Sequence, residues 1–211
     1  MTTERTKQLQ TATDYLTKHD PHLAPVIARF GPCTIEPHDD YYRELVDSII
    51  SQQLSVKASA TIVKRFVALF DDKFPTPEQI LQRNIDELRA VGMSRSKASY
   101  VLDLALHILE GRLQPGKLPD LPNDEVIREL VAVKGIGEWT AHMFLIFSLG
   151  RLDVLATGDL GVRMAMKRLY DLPDAPKPDE MRAIAEKYHW HPYESVACWY
   201  LWKSLDNEPA L

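Results

Sequence analysis

The 211-residue sequence contains two cysteines, Cys33 and Cys198. Two thiols are too few for a disulfide scaffold, an all-cysteine zinc site or a four-cysteine iron–sulfur cluster. Positive charge is in the minority. Lys and Arg number 25 against 30 Asp and Glu, so the net charge is −5. That excludes a protein that coats nucleic acid by bulk basicity, but not one with a local basic face. Long apolar runs are also missing. The longest mainly apolar stretch, residues 143–149, is far short of the roughly 20 residues that span a bilayer. The first residues show no basic segment followed by an apolar core, so no signal peptide is read. No membrane partner is expected. The predicted location is cytoplasmic, with the bacterial nucleoid or, in a eukaryote, the nucleus as the place of work. Finally, the alternating Val/Ile/Tyr-rich runs of half-buried strands are absent.

What is present is helical periodicity. Apolar residues recur at three and four, as in Leu45, Val46, Ile49 and Ile50, or Ala58, Ile62, Phe66 and Leu69. Thr76 before Pro77 reads as an N-cap. Many of the 14 prolines lie between the periodic segments, where helices must stop. The expected class is all-α, with about ten to twelve short helices and one irregular stretch at residues 33–40. Charge is uneven along the chain. Residues 48–117 carry 10 basic and 7 acidic side chains, whereas residues 169–211 carry 4 and 8. A solvated helix face and a phosphate-facing surface both fit the basic stretch.

Two tight turns echo each other. Gly92-Met93-Ser94 and Gly135-Ile136-Gly137 each follow one helical segment and open another. Such turns aim backbone N–H groups outward at a helix N-terminus, an anion site suited to DNA phosphate. Asp159 follows Gly137 by 22 residues and stands at a predicted N-cap, which by itself explains an aspartate there.

The hairpin Lys134-Gly135-Ile136-Gly137, the aspartate at that distance, the segment Ile50-Ser51-Gln52-Gln53-Leu54-Ser55 and the ending His191-Pro192-Tyr193-Glu194-Ser195 resemble the helix-hairpin-helix (HhH-GPD) DNA glycosylase superfamily. The combination is similar to the DNA-3-methyladenine glycosylase II branch, in the compact form without an N-terminal β domain. The resemblance implies two helical lobes with a DNA-binding cleft between them. Residues 42–153 would form the lobe with wedge and hairpin. Residues 1–41 and 154–211 would form the lobe carrying the aspartate.

The implied reaction is excision of alkylated purines, of the 3-methyladenine and 7-methylguanine type, from double-stranded DNA in base excision repair. The flipped base leaves an abasic site behind. Superfamily members that also cut the strand carry a lysine two residues after the second hairpin glycine. Here that residue is Trp139, which cannot form a Schiff base, so a monofunctional hydrolase is implied. Asp159 would be the catalytic carboxylate. Trp139, Tyr193 and Trp190 would line the base pocket, although Tyr193 and Trp190 equally suit an aromatic core. Gln53 or Leu54 would be the wedge. Gly135, Ile136, Gly137 and Thr140 would donate to a phosphate, with Lys97 either a further contact or a solvated side chain. No cofactor is implied beyond a structural monovalent cation in the hairpin, on the backbone carbonyls of Val131, Val133 and Ile136. The chain would act as a monomer. The superfamily motif usually has proline before the first hairpin glycine, where this chain has Lys134. The alternatives are a non-catalytic hairpin protein that binds or senses damaged DNA, and a glycosylase for ethenoadenine, hypoxanthine or uracil.

Overall fold

A computed structural model describes residues 2–205. Among the described residues every regular element is helical and none is a strand. The chain divides into two compact units. One comprises the residues up to His38 and those from Leu145 onward; the other is Asp39–Phe144. The sequence-based division at 153/154 therefore differs, and the end of its second lobe, residues 206–211, lies outside the described residues. The physical reason is how residues 145–153 are bonded, both within the segment and to a helix distant in sequence. The Arg151 N–H donates to the Leu145 carbonyl at 2.9 Å, and the Ser195 N–H donates to the Leu152 carbonyl at 2.9 Å. This segment is thus tied to a C-terminal helix of the first unit.

The first unit contains α1 (Thr3–His19), α2 (Ala24–Phe30), α10 (Leu160–Leu169), α11 (Pro178–Lys187) and α12 (Glu194–Ser204). Helix α12 is buried along nearly its whole circumference, from Ser195 to Trp202. A helix apolar all round must sit at the centre of its unit. Leu9 and Leu16 of α1, Ile27 of α2 and Val162 and Met166 of α10 are likewise buried, and α1, α2 and α10 all pack on α12.

The second unit contains α3 (Tyr41–Ser51), α4 (Val56–Ala68), α5 (Pro77–Leu81), α6 (Ile85–Ala90), α7 (Arg95–Leu109), α8 (Asn123–Val131) and α9 (Glu138–Met143), with a 3-10 turn at Pro115–Asp120. Helix α5 opens on the Thr76 cap with a reciprocal Gln79 bond, and Asn84 and Glu87 do the same for α6. These capping boxes satisfy N–H groups that short helices otherwise leave open. Helix α7 is packed by α3, α5 and α6. Residues 138–149 do not form one continuous α-helix. Instead α9 ends at Met143 and continues as a π-helical turn, Phe144–Ser148. No described helix is long and apolar enough to cross a membrane.

Candidate active site

In the first unit, the Ala156–Asp159 turn delivers a carboxylate to the start of α10. The Asp159 N–H bonds the Ala156 carbonyl at 3.0 Å. Asp159 caps α10, and its Oδ1 accepts the Val162 N–H at 2.7 Å. The same oxygen accepts the indole N–H of Trp202, from α12, at 2.8 Å. Asp159 is 9% exposed and Trp202 7%. Two N–H donors and a helix N-terminus thus complement negative charge on one nearly buried carboxylate. The indole is held in turn by Phe147, whose ring centroid lies 5.5 Å away.

Gly161 makes this approach possible. A Cβ there would stand 3.1 Å from Asp159 Oδ1 and 3.2 Å from Trp202 Cδ1, tighter than ordinary contact. On the same helix Leu160 and Met164 are exposed. Cys198 is buried nearby, and burial first, with the charges of Asp159 and Glu194, pushes its thiol up to about 12. It stays protonated and offers no nucleophile.

In the second unit, the turn between α8 and α9 is packed against α7. Gly135 has φ +84°, and a Cβ there would fall 2.1 Å from the Tyr100 ring. Only glycine meets both demands. Its carbonyl accepts the Gln52 side-chain amide at 2.8 Å. Gly135 and Gly137 are exposed. Trp139, in the first turn of α9, is 48% exposed. At the end of α3 the chain turns sharply through Gln53, an exposed residue at φ +58°, and Leu54 is 39% exposed. Both wedge candidates are therefore presented outward from one tight turn.

A family model described as HhH-GPD superfamily base excision DNA repair protein matches residues 46–189. The chain belongs to the HhH-GPD superfamily. It is 34% identical to YfjP of Bacillus subtilis over 78% of this chain, and spans 59% of the length of that relative. Among solved structures, a DNA-3-methyladenine glycosidase from Bacillus halodurans superposes with a TM-score of 0.82 at 36% identity, covering 92% of this chain and 88% of that one. The Schizosaccharomyces pombe 3-methyladenine DNA glycosylase Mag1, in complex with abasic DNA, gives 0.78 at 32% identity, covering 92% and 95%.

Several residues singled out from the superfamily motifs have other surroundings. Trp190 is fully buried, and its indole N–H donates to Asp20 Oδ2 at 2.7 Å. Tyr170 donates to the same oxygen. Trp190 is therefore core, not pocket wall. Tyr193 is half-buried at the start of α12, edge-on to Tyr15 at 5.2 Å. Ile136 is buried and its N–H bonds the Val133 carbonyl at 3.1 Å. It pins the hairpin from inside and does not offer that N–H to a phosphate. Thr140 is buried as well, which leaves Gly135 and Gly137 as the exposed backbone of the turn. The Lys97 ammonium donates to the carbonyls of Ile50 at 2.8 Å and Gln52 at 2.5 Å. These bonds close the end of α3 and turn the ammonium away from a phosphate role; burial lowers the pKa of this lysine.

Trp202 and Gly161 are the residues that motif reading missed. Two signals point to Trp202: a buried indole N–H needs an acceptor, and a glycine stands two residues after Asp159.

Proposed function

We propose that the chain is a monofunctional DNA glycosylase that hydrolyses the N-glycosidic bond of alkylated purines in duplex DNA. The observation that carries this reading is the carboxylate of Asp159, oriented by Val162 and Trp202 at the head of α10. Departure of the base leaves positive charge on the deoxyribose, as in oxocarbenium-like sugar hydrolysis. A preoriented anion stabilises that charge and orients the attacking water. Water adds at C1′ as the C1′–N bond breaks, the bonding pair leaves with the base, and one water proton passes to solvent or to the carboxylate. An N3- or N7-alkylated purine is already cationic, so it leaves without a protonated partner acid.

The half-exposed indole of Trp139 supports a preference for such cationic bases. A cation over an indole face gains roughly 0.5–2 kcal/mol. Trp139 also stands where a Schiff-base lysine would be needed for strand cleavage, which supports hydrolysis alone. In the second unit, the exposed backbone at Gly135 and Gly137 suits a phosphate. Gln53 or Leu54 suits the gap left by an extruded nucleotide. We place the monovalent cation of the superfamily hairpin on the carbonyls of Val131, Val133 and Ile136. The Val133 carbonyl already accepts the Ile136 N–H and keeps a second lone pair for an ion. When bound there, the ion would supply positive charge that favours a DNA phosphate. The chain acts as a monomer, in the cytoplasm or the nucleus.

The relatives support the alkylated-base assignment, because the similar B. halodurans protein is a DNA-3-methyladenine glycosidase. The test is release of 3-methyladenine and 7-methylguanine from methylated duplex DNA by the purified protein. Abasic sites should appear, and strands should break only after hot alkali. Strand breaks without alkali would contradict hydrolysis alone.

A further inference from the structure

The face of α7 that carries Lys97, Tyr100, Asp103 and His107 touches both exposed turns of the second unit. The spacings of three, three and four place these side chains in one stripe along the helix. At its start, Lys97 holds the carbonyls of Ile50 and Gln52, just before the Gln53-Leu54 turn. One turn further, the Tyr100 ring lies flush against Gly135. One turn beyond that, Asp103 Oδ2 accepts the backbone N–H of Lys134 at 2.9 Å, and Oδ1 pairs with the Lys134 ammonium at 3.2 Å. The Asp103 side chain is 11% exposed, and that of Lys134 is 72% exposed.

The carboxylate is itself braced. His107 Nδ1 lies 3.4 Å from Asp103 Oδ2 and 2.9 Å from its carbonyl. His107 Nε2 lies 2.6 Å from an Arg112 guanidinium nitrogen. A guanidinium only donates, so Nε2 accepts and the Nδ1 proton faces Asp103. Burial alone would raise the Asp103 pKa, but the Lys134 N–H and ammonium, with His107, lower it overall. The superfamily motif usually has proline where Lys134 stands. Proline has no N–H, so the Asp103 bond is available only because this chain departs from that motif.

We propose that Asp103 is a positioning residue for DNA, holding the hairpin through Lys134 in fixed register with the wedge turn that Lys97 secures on the same helix. This rests on the glycosylase reading above. The proposed effect of Asp103, exerted through Lys134, is on productive DNA binding and not on bond cleavage.

The test compares full-length wild type with Asp103→Ala, Asp103→Asn, Lys134→Met and the double variant Asp103→Ala/Lys134→Met, on a duplex with one 7-methylguanine. Release by wild type is the prior check, and its absence would fail the glycosylase reading itself. Given release, Asp103→Ala should raise KM about tenfold, the scale of one charge-assisted bond, with kcat at saturating DNA within about twofold. Asp103→Asn keeps an acceptor for the Lys134 N–H and should recover part of the loss. Lys134→Met removes an exposed ammonium without disturbing the core and should raise KM by about two- to threefold. The double variant should be no worse than Asp103→Ala alone, because the two groups act as one contact. An unchanged KM in Asp103→Ala, or a fall in kcat at unchanged KM, overturns the proposal. So does no recovery in Asp103→Asn when its thermal unfolding matches wild type.

Discussion

The indole N–H of Trp202 and the carboxylate of Asp159, 43 residues apart in sequence, are joined at 2.8 Å. The bond fixes which way the carboxylate faces, because Oδ1 is held from two directions while α10 begins beneath it. Trp202→Phe keeps the aromatic body and deletes the donor. We expect kcat to fall by about 10- to 100-fold, the range spanned by one charge-assisted bond and one transition-state donor. The check is single-turnover release of 7-methylguanine, with folding followed by circular dichroism. An unchanged rate would show that the Trp202 donor does not orient the carboxylate for catalysis.

Gln53 and Leu54 leave the same turn, so the wedge is a question of side chain. Leu54→Ala and Gln53→Ala should differ. The true wedge fills a gap that exists only in a duplex, and its truncation should slow duplex turnover by about tenfold or more while leaving single strands within about twofold. Parallel assays on one methylated oligonucleotide, with and without its complement, distinguish the two. Equal losses on both substrates for both variants would remove the wedge from this turn.

Trp190 holds Asp20 from inside the first unit. Trp190→Phe should therefore act on stability, not on substrate choice. Losing the donor to a buried carboxylate costs about 2 kcal/mol, which lowers Tm by roughly 4–8 °C for a chain of this size. The ratio of 3-methyladenine to 7-methylguanine release should not move. A changed ratio at unchanged Tm would return Trp190 to the pocket.

Asp103 has its pKa lowered in the folded chain. Its stabilising contribution is therefore complete above the ordinary carboxylate range and disappears as pH falls through the lowered folded value. The stability difference between wild type and Asp103→Asn, read by urea unfolding, should be constant near neutrality and shrink as pH falls below the unfolded value of about 3.9. A difference that grows with acidity would contradict the sign.

Local signals carried much of the fold into the sequence. The stripe Leu45, Val46, Ile49 and Ile50 marked α3, and Thr76-Pro77 marked the start of α5, because periodicity and capping are properties of adjacent residues. Residues 145–153 were misassigned because their ties, to Ser195 above all, are long-range. The site divides in the same way. Asp159 and the hairpin glycines stand in motifs with fixed spacing. Trp202, Gly161 and Asp103 act through partners distant in sequence, and Ile136 and Lys97 have motif positions whose donors are already bonded within the unit. Spacing places a residue, but it does not say what its polar atoms already hold.

The most direct measurement is release of 7-methylguanine from methylated duplex DNA by wild type and by Asp159→Asn. The amide keeps the shape and one acceptor for the Trp202 and Val162 donors but removes the charge that faces the sugar cation. The account predicts a loss of at least about 100-fold in the single-turnover rate, with DNA binding and Tm close to wild type. Release by Asp159→Asn at the wild-type rate would contradict it.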